Sequence, residues 1–237
     1  MPETCRDIQL LAGKLSLLNG QLISFEGLDG VGKSTQINLL QQALSSRGIE
    51  VLSLREPGGT SAGEALRSLI KAGTFHSPLA ELLAFETARA ELVSELVRPA
   101  LARGAWVLLD RFADSSLAYQ GALGKLDMEL IRKLNTIATG GLKPGLTVLL
   151  ALDPAQALLR RRGAEKPAAG GGNAESTELD SIEKRDTDYF SRVHDIFSEL
   201  ARAEPQRFLV LDASQDVDAI HRQVMARVQE MDGGQHG

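Results

Sequence analysis

The stretch Phe25-Glu26-Gly27-Leu28-Asp29-Gly30-Val31-Gly32-Lys33-Ser34-Thr35 decides how the rest of this chain is read. From Gly27 to Ser34 it spells G-x-x-x-x-G-K-S. A short apolar run of Leu22, Ile23, Ser24 and Phe25 precedes it, and a helical pattern of Ile37, Leu39, Leu40 and Leu44 follows. This is the strand–loop–helix setting that the motif requires. Glycines let backbone N–H groups turn inward around phosphate oxygens, and the helix N-terminus adds its positive end. The whole run Gly27, Leu28, Asp29, Gly30, Val31, Gly32, Lys33, Ser34 and Thr35 is therefore a candidate phosphate cradle. Lys33 supplies a cation that reaches the β- and γ-phosphates, and Ser34 offers a hydroxyl to Mg²⁺. The motif implies a nucleoside triphosphate site with Mg²⁺. The fate of the γ-phosphate has to be read elsewhere.

Working outward, short apolar runs alternate with helical patterns. Strands are expected at about 22–26, 50–55, 105–110, 145–152 and 207–212. Helices are expected near 33–47, 61–71, 78–102, 127–139, 154–162, 180–202 and 216–230, with a short one around Ser115 to Gln120. Leu146 to Leu152 is apolar almost throughout, as a central strand covered on both faces should be. The pattern predicts an α/β fold, a three-layer arrangement of parallel strands between helices. Ligands in such folds bind beyond the carboxyl ends of the strands. Polar groups follow four of the strands: Arg55-Glu56-Pro57-Gly58-Gly59-Thr60, Asp110-Arg111-Phe112, Asp153-Pro154 and Asp212-Ala213-Ser214.

The 237 residues suit one large domain with small appendages. We expect an N-terminal extension over 1–20, a catalytic domain over 21–232 and a short tail over 233–237. Ile8, Leu11, Leu15 and Leu18 have helical spacing, so the extension is either a short amphipathic helix or a mobile tail. A net charge of −5 argues against general nucleic-acid binding. The lone cysteine, Cys5, excludes an internal disulfide and points to a reducing, cytoplasmic setting. No apolar run is long enough to span a membrane. Residues 163–174 are rich in Gly, Ala and Pro, follow Arg160-Arg161-Arg162 and precede Lys184 and Arg185. They read as a flexible connection, and about 160–185 as a lid. The four histidines form no metal-ligand grouping with Cys5.

Taken together, Phe25 to Thr35, Arg55-Glu-Pro-Gly-Gly-Thr60, Phe85-Glu-Thr-Ala-Arg89, Asp110-Arg111 and Ser115-Ser-Leu-Ala-Tyr-Gln-Gly121 resemble the thymidylate kinase family over roughly residues 20–230. The phosphate-binding loop is common to many families; Arg-Glu-Pro-Gly-Gly-Thr at the end of the second strand is far more specific. The resemblance implies a five-stranded P-loop NTPase-type sheet and transfer of the ATP γ-phosphoryl group to dTMP, giving dTDP for dTTP synthesis. It also implies Mg²⁺ and a homodimer.

The resemblance assigns roles that the residue chemistry supports. Asp29 would contact the acceptor sugar; an acid there is otherwise a helix-start charge. Arg55 would hold the acceptor phosphate, which a guanidinium grips through two bonds, rather than merely pairing with Glu56 or another acid. Phe85 and Arg89, four apart on a helix, would stack on thymine and reach its edge or a neighbouring phosphate; a core position is the alternative for Phe85. Asp110 would hold Mg²⁺ through water together with Ser34, and Arg111 would bridge donor and acceptor phosphates. Phe112 stands where the family usually has Tyr or His. Ser115, Ser116 and Gln120 would read the base, and Tyr119 would crowd the sugar 2′ position. Gly30 occupies a place where some relatives carry an arginine, and in the bacterial type lacking it, lid arginines supply the charge. Arg160 and Arg162 are preferred for that duty. A deoxynucleoside kinase is the nearest alternative, and a nucleotide-dependent ATPase or GTPase switch a more distant one. The guanine-reading N-K-x-D is absent.

Overall fold

In the computed structural model, residues 20–164 and 187–233 are described. Five parallel strands form the sheet: β1 (Leu22–Glu26), β2 (Val51–Arg55), β3 (Trp106–Asp110), β4 (Leu146–Ala151) and β5 (Phe208–Asp212), in the spatial order β2-β3-β1-β4-β5. Each strand lies within a residue or so of its expected place. Central strands buried on both faces are written as apolar runs bounded by turn residues. Register sets the strand ends level: Phe25 lies beside Asp110 and Arg55 beside Asp110. The polar groups that follow β1, β2 and β3 therefore emerge at one edge.

Helices cover both faces: α1 (Lys33–Ser45), α2 (Ser61–Lys71), α3 (Pro78–Leu92), α4 (Arg98–Ala102), α5 (Ala113–Gly121), α6 (Met128–Thr139), α7 (Pro154–Ala164), α8 (Thr187–Ala203) and α9 (Val217–Gly233). Their starts follow local chemistry. Thr60 accepts from the Gly63 N–H at 3.0 Å, and Asp127 accepts from the Glu129 N–H at 3.1 Å. Alternate residues of β3 supply two cores. Trp106 and Leu108 join Phe25, Leu40 and Phe197 on one face; Val107 and Leu109 join Leu92, Val97 and Phe112 on the other.

The expected helix over 78–102 is broken. Val93–Val97 form a π-helical turn between α3 and α4. Pro99 has no N–H for the carbonyl four residues back, that of Glu95, and its ring crowds that carbonyl; a wider turn accommodates both. The helix expected from 180 begins at Thr187 within the described residues. The expected N-terminal helix, the Gly/Ala-rich run, Lys184, Arg185 and the tail lie outside the described residues, as does the Arg162 side chain.

Candidate active site

The phosphate-binding loop turns sharply out of β1. Gly27 has φ 131°, and a Cβ there would meet the Leu150 carbonyl at 2.5 Å, so only glycine fits. Lys33 is buried at the start of α1, and its ammonium donates to the Leu28 carbonyl at 2.9 Å and the Gly27 carbonyl at 3.4 Å. Burial, and after it the nearby Arg111, lower its pKa, against the opposing pull of Asp29 and Asp110. Ser34 donates to Asp110 at 2.9 Å. These two side chains meet across the sheet edge, as a site for a hydrated divalent cation needs.

Two cavities adjoin here. One, of about 390 Å³, runs along Gly30, Gly32, Lys33, Ser34, Thr35 and Asp110 and reaches Arg55. The other, of about 180 Å³, is lined by Phe85, Arg89, Ser115, Ser116, Tyr119 and Gln120. Asp29 and Arg111 line both. The structure thus brings eight of the nine expected acceptor residues to one cavity, and Arg55 to its neighbour.

Arg111 is the hinge between them. It has φ 72°, the one positive φ at a non-glycine among the described residues. Such a conformation persists where the surroundings over-determine it. Its guanidinium donates to Asp29 at 2.7 Å, to the Tyr119 hydroxyl at 2.9 Å and to Ser115 at 3.2 Å, and it lies 4.7 Å from the Tyr119 ring centroid. Burial alone would lower its pKa; Tyr119, Asp29, Asp110 and Glu26 outweigh that and raise it, so it stays charged. Asp29 therefore has an ion-pair partner in Arg111.

Arg89, expected to reach the base edge or a neighbouring phosphate, lines the smaller cavity with its guanidinium bonded to protein groups. It is 1% exposed. It donates to Glu56 at 2.9 Å, Glu86 at 2.7 Å, Asn135 at 2.6 Å, Ser116 at 3.0 Å and the Phe112 carbonyl at 3.3 Å. Burial opposes its charge, but Glu56 and Glu86 outweigh burial and raise its pKa. Any bond to a base must be won from these acceptors, the Phe112 carbonyl being the most distant. Burial pushes the Glu56 carboxyl up to about 7 even against Arg89. Phe112 is fully buried in the second core, its ring 5.7 Å from the Arg89 guanidinium, so the site uses its carbonyl and its bulk.

Other expected residues have partners of their own. Arg55 is 57% exposed and pairs with Glu64 at 3.3 Å. Gln120 donates to Glu81 at 3.1 Å. Arg160 donates to the Ala213 carbonyl at 2.6 Å, in the loop after β5. Sequence reasoning missed Arg67 and Lys71. Arg67 lines both cavities and donates to the Pro57 carbonyl at 3.0 Å; Lys71 lines the smaller cavity. Their spacing of four, on the helix that directly follows Arg55 to Thr60, was the available signal.

The family model for thymidylate kinase matches residues 25–224. The thymidylate kinase of Prosthecochloris aestuarii is 41% identical over 213 residues, covering 89% of this chain and 94% of that protein. That of Deinococcus radiodurans is 44% identical over 212 residues, covering 89% and 97%. The crystal structure of thymidylate kinase from Ehrlichia chaffeensis superposes with a TM-score of 0.68 at 29% identity, covering 88% of this chain and 98% of that one. With the loop, the paired cavities and the arginine between them in place, the chain belongs to the thymidylate kinase family.

Proposed function

We infer that the two adjoining cavities divide the transfer between them, the larger taking the ATP triphosphate and the smaller taking dTMP. The overall activity follows from the family: phosphorylation of dTMP to dTDP with ATP as donor. The observation that carries the finer reading is Arg111, charged, held by Asp29 and Tyr119, and lining both cavities.

In this mechanism the backbone N–H groups of Gly27 to Thr35 hold the donor phosphates. Lys33 exchanges its loop carbonyls for phosphate oxygens; its lowered pKa reflects a desolvated ammonium that anions would stabilise. Arg55 leaves its exposed pair with Glu64 for the acceptor phosphate, an exchange that costs little because such pairs contribute at most about 1 kcal/mol. Arg111 faces the oxygens of both phosphates. Phe85 lies against the base, Ser115, Ser116 and Gln120 supply polar contacts, Tyr119 closes the pocket at the sugar, and Asp29 orients Arg111 while facing the sugar. The acceptor phosphate is itself the nucleophile, so no strong base is needed. Catalysis is positioning and electrostatics.

Ser34 and Asp110 fit Mg²⁺, which binds through one or two carboxylates together with substrate phosphates. Bound there, it would neutralise charge on the phosphoryl oxygens. Arg160 and Arg162 are the lid cations in this reading; Arg160 has to leave the Ala213 carbonyl to take part. A homodimer is supported by exposed apolar side chains on α3 and the two helices packed against it: Leu79 and Leu83 on α3, Leu69 on α2, and Leu130 and Ile137 on α6. Light scattering of Leu83→Glu should then report a monomer. Among the described residues no helix is long and apolar enough to cross a membrane, and the single cysteine fits the cytoplasm.

An acceptor panel tests the assignment. With Mg·ATP, dTMP should be turned over in preference to dUMP, dCMP, dGMP and thymidine. A preference for thymidine would transfer the protein to the nucleoside kinases, and ATP turnover without acceptor would favour a switch.

A further inference from the structure

We propose that Glu26 is a positioning residue: from the end of β1 it caps the β3–α5 turn and so fixes Arg111 and Ser115 relative to the phosphate-binding loop that starts at the next residue. The proposal rests on the dTMP kinase reading of the site.

Glu26 is fully buried, yet it belongs to a strand that otherwise feeds the core. A carboxyl group in such a place needs partners. Its Oε1 accepts from the Phe112 N–H at 2.8 Å, and its Oε2 lies 2.6 Å from the Ser115 hydroxyl. Phe112 is the residue immediately before α5, and no side chain of its own caps that helix. Helix starts leave N–H groups without partners. Here the missing cap comes from a residue 86 positions away. Ser115 also accepts from Arg111 at 3.2 Å, and the Arg111 N–H donates to the Phe25 carbonyl at 3.0 Å. Glu26 and Phe25 thus hold both ends of the segment in which Arg111 adopts its left-handed backbone. Remove the carboxyl group and Phe112 loses its partner, Ser115 is released, and the Arg111 guanidinium loses the support that aims it between the cavities. The loop on the donor side and the clamp on the acceptor side would no longer share a frame.

The bonds, rather than the negative charge, carry this role. Glutamine at the same position accepts from Phe112 through Oε1 and donates to Ser115 through Nε2, leaving the serine oxygen able to accept from Arg111.

The test is steady-state kinetics together with hydrogen exchange of the Phe112 and Ser115 amides in the ligand-free protein. Glu26→Ala should lower kcat/KM for dTMP about 30-fold, leave KM for ATP within about threefold, and raise exchange at the start of α5 about tenfold or more. Glu26→Gln should restore at least about a third of kcat/KM and the slow exchange. Wild-type kinetics in Glu26→Ala, or equal damage in Glu26→Gln and Glu26→Ala, overturns the proposal. If Glu26→Ala does not fold, Glu26→Asp, one methylene shorter, replaces it; wild-type kinetics there also overturn the proposal. The exchange measurement does not depend on the substrate. A wild-type protein that fails to phosphorylate dTMP would sink the functional reading alone.

Discussion

Arg89 and Arg55 both stand in family-like motifs, yet the structure treats them in opposite ways. Arg89 is sealed into the floor of the smaller cavity with every N–H on a protein acceptor. Arg55 is exposed on the rim, holding only Glu64. The contrast extends to the regions around them. The smaller cavity is held by internal bonds; Arg89 and Ser116 are joined by a buried one, and Tyr119 and Gln120 make part-buried ones. In the larger cavity Lys33 holds loop carbonyls and Arg55 an exposed carboxylate, contacts that phosphates could replace. A flat base needs a fixed slot, whereas migrating charge needs groups that can exchange partners.

The sharpest way to break this contrast is at Arg89. Arg89→Met leaves Glu56 and Glu86 buried without their cation, and should cost about 3–5 kcal/mol in urea unfolding. Adding Glu56→Gln should recover part of it; a loss below about 1 kcal/mol would show that the floor is not built on this ion pair. On the donor side, Lys33→Ala should lower kcat by about 10²–10³-fold while dTMP affinity by calorimetry changes little. Arg55→Ala should raise KM for dTMP by about 10–100-fold with Tm unchanged, because its resting pair is exposed. A destabilised Arg55→Ala would erase the distinction between floor and rim.

The smallest effect concerns pH. Burial, with Asp114 adding to it, pushes the Glu26 carboxyl up to about 8 from an ordinary 4.5, against the opposing pull of Arg111. The folded state then holds this proton more tightly than the unfolded chain. The stabilisation is present at low pH and is lost as pH rises from about 5 to about 8. Tm should fall more steeply over that window in the wild type than in Glu26→Gln. Parallel curves would mean that Glu26 ionises normally.

Much of this was legible in the sequence because it was local. The strands read as apolar runs, the loop as a spaced motif, and the candidate acceptor residues as short motifs at 55–60, 85–89, 110–111 and 115–121. What stayed hidden depends on partners distant in sequence. Arg89 draws its acceptors from residues 56, 86, 112, 116 and 135, and no window of sequence holds them together. The contact of Arg160 with Ala213 spans 53 positions. The π-helical turn escaped because the apolar spacing through residue 97 looks helical, and Pro99 was the only mark against it.

The strand order has a consequence for how such a protein can change. β1 sits in the middle, with β3 and β2 to one side and β4 and β5 to the other. Most side chains lining the smaller cavity come from one flank, between residues 55 and 120, while the Arg160 contact with Ala213 belongs to the other. With dTMP in that cavity, as proposed, its recognition would rest on almost a single cassette of sequence. Grafting that stretch from a kinase for another monophosphate should alter the preferred acceptor without retraining the protein for a new donor.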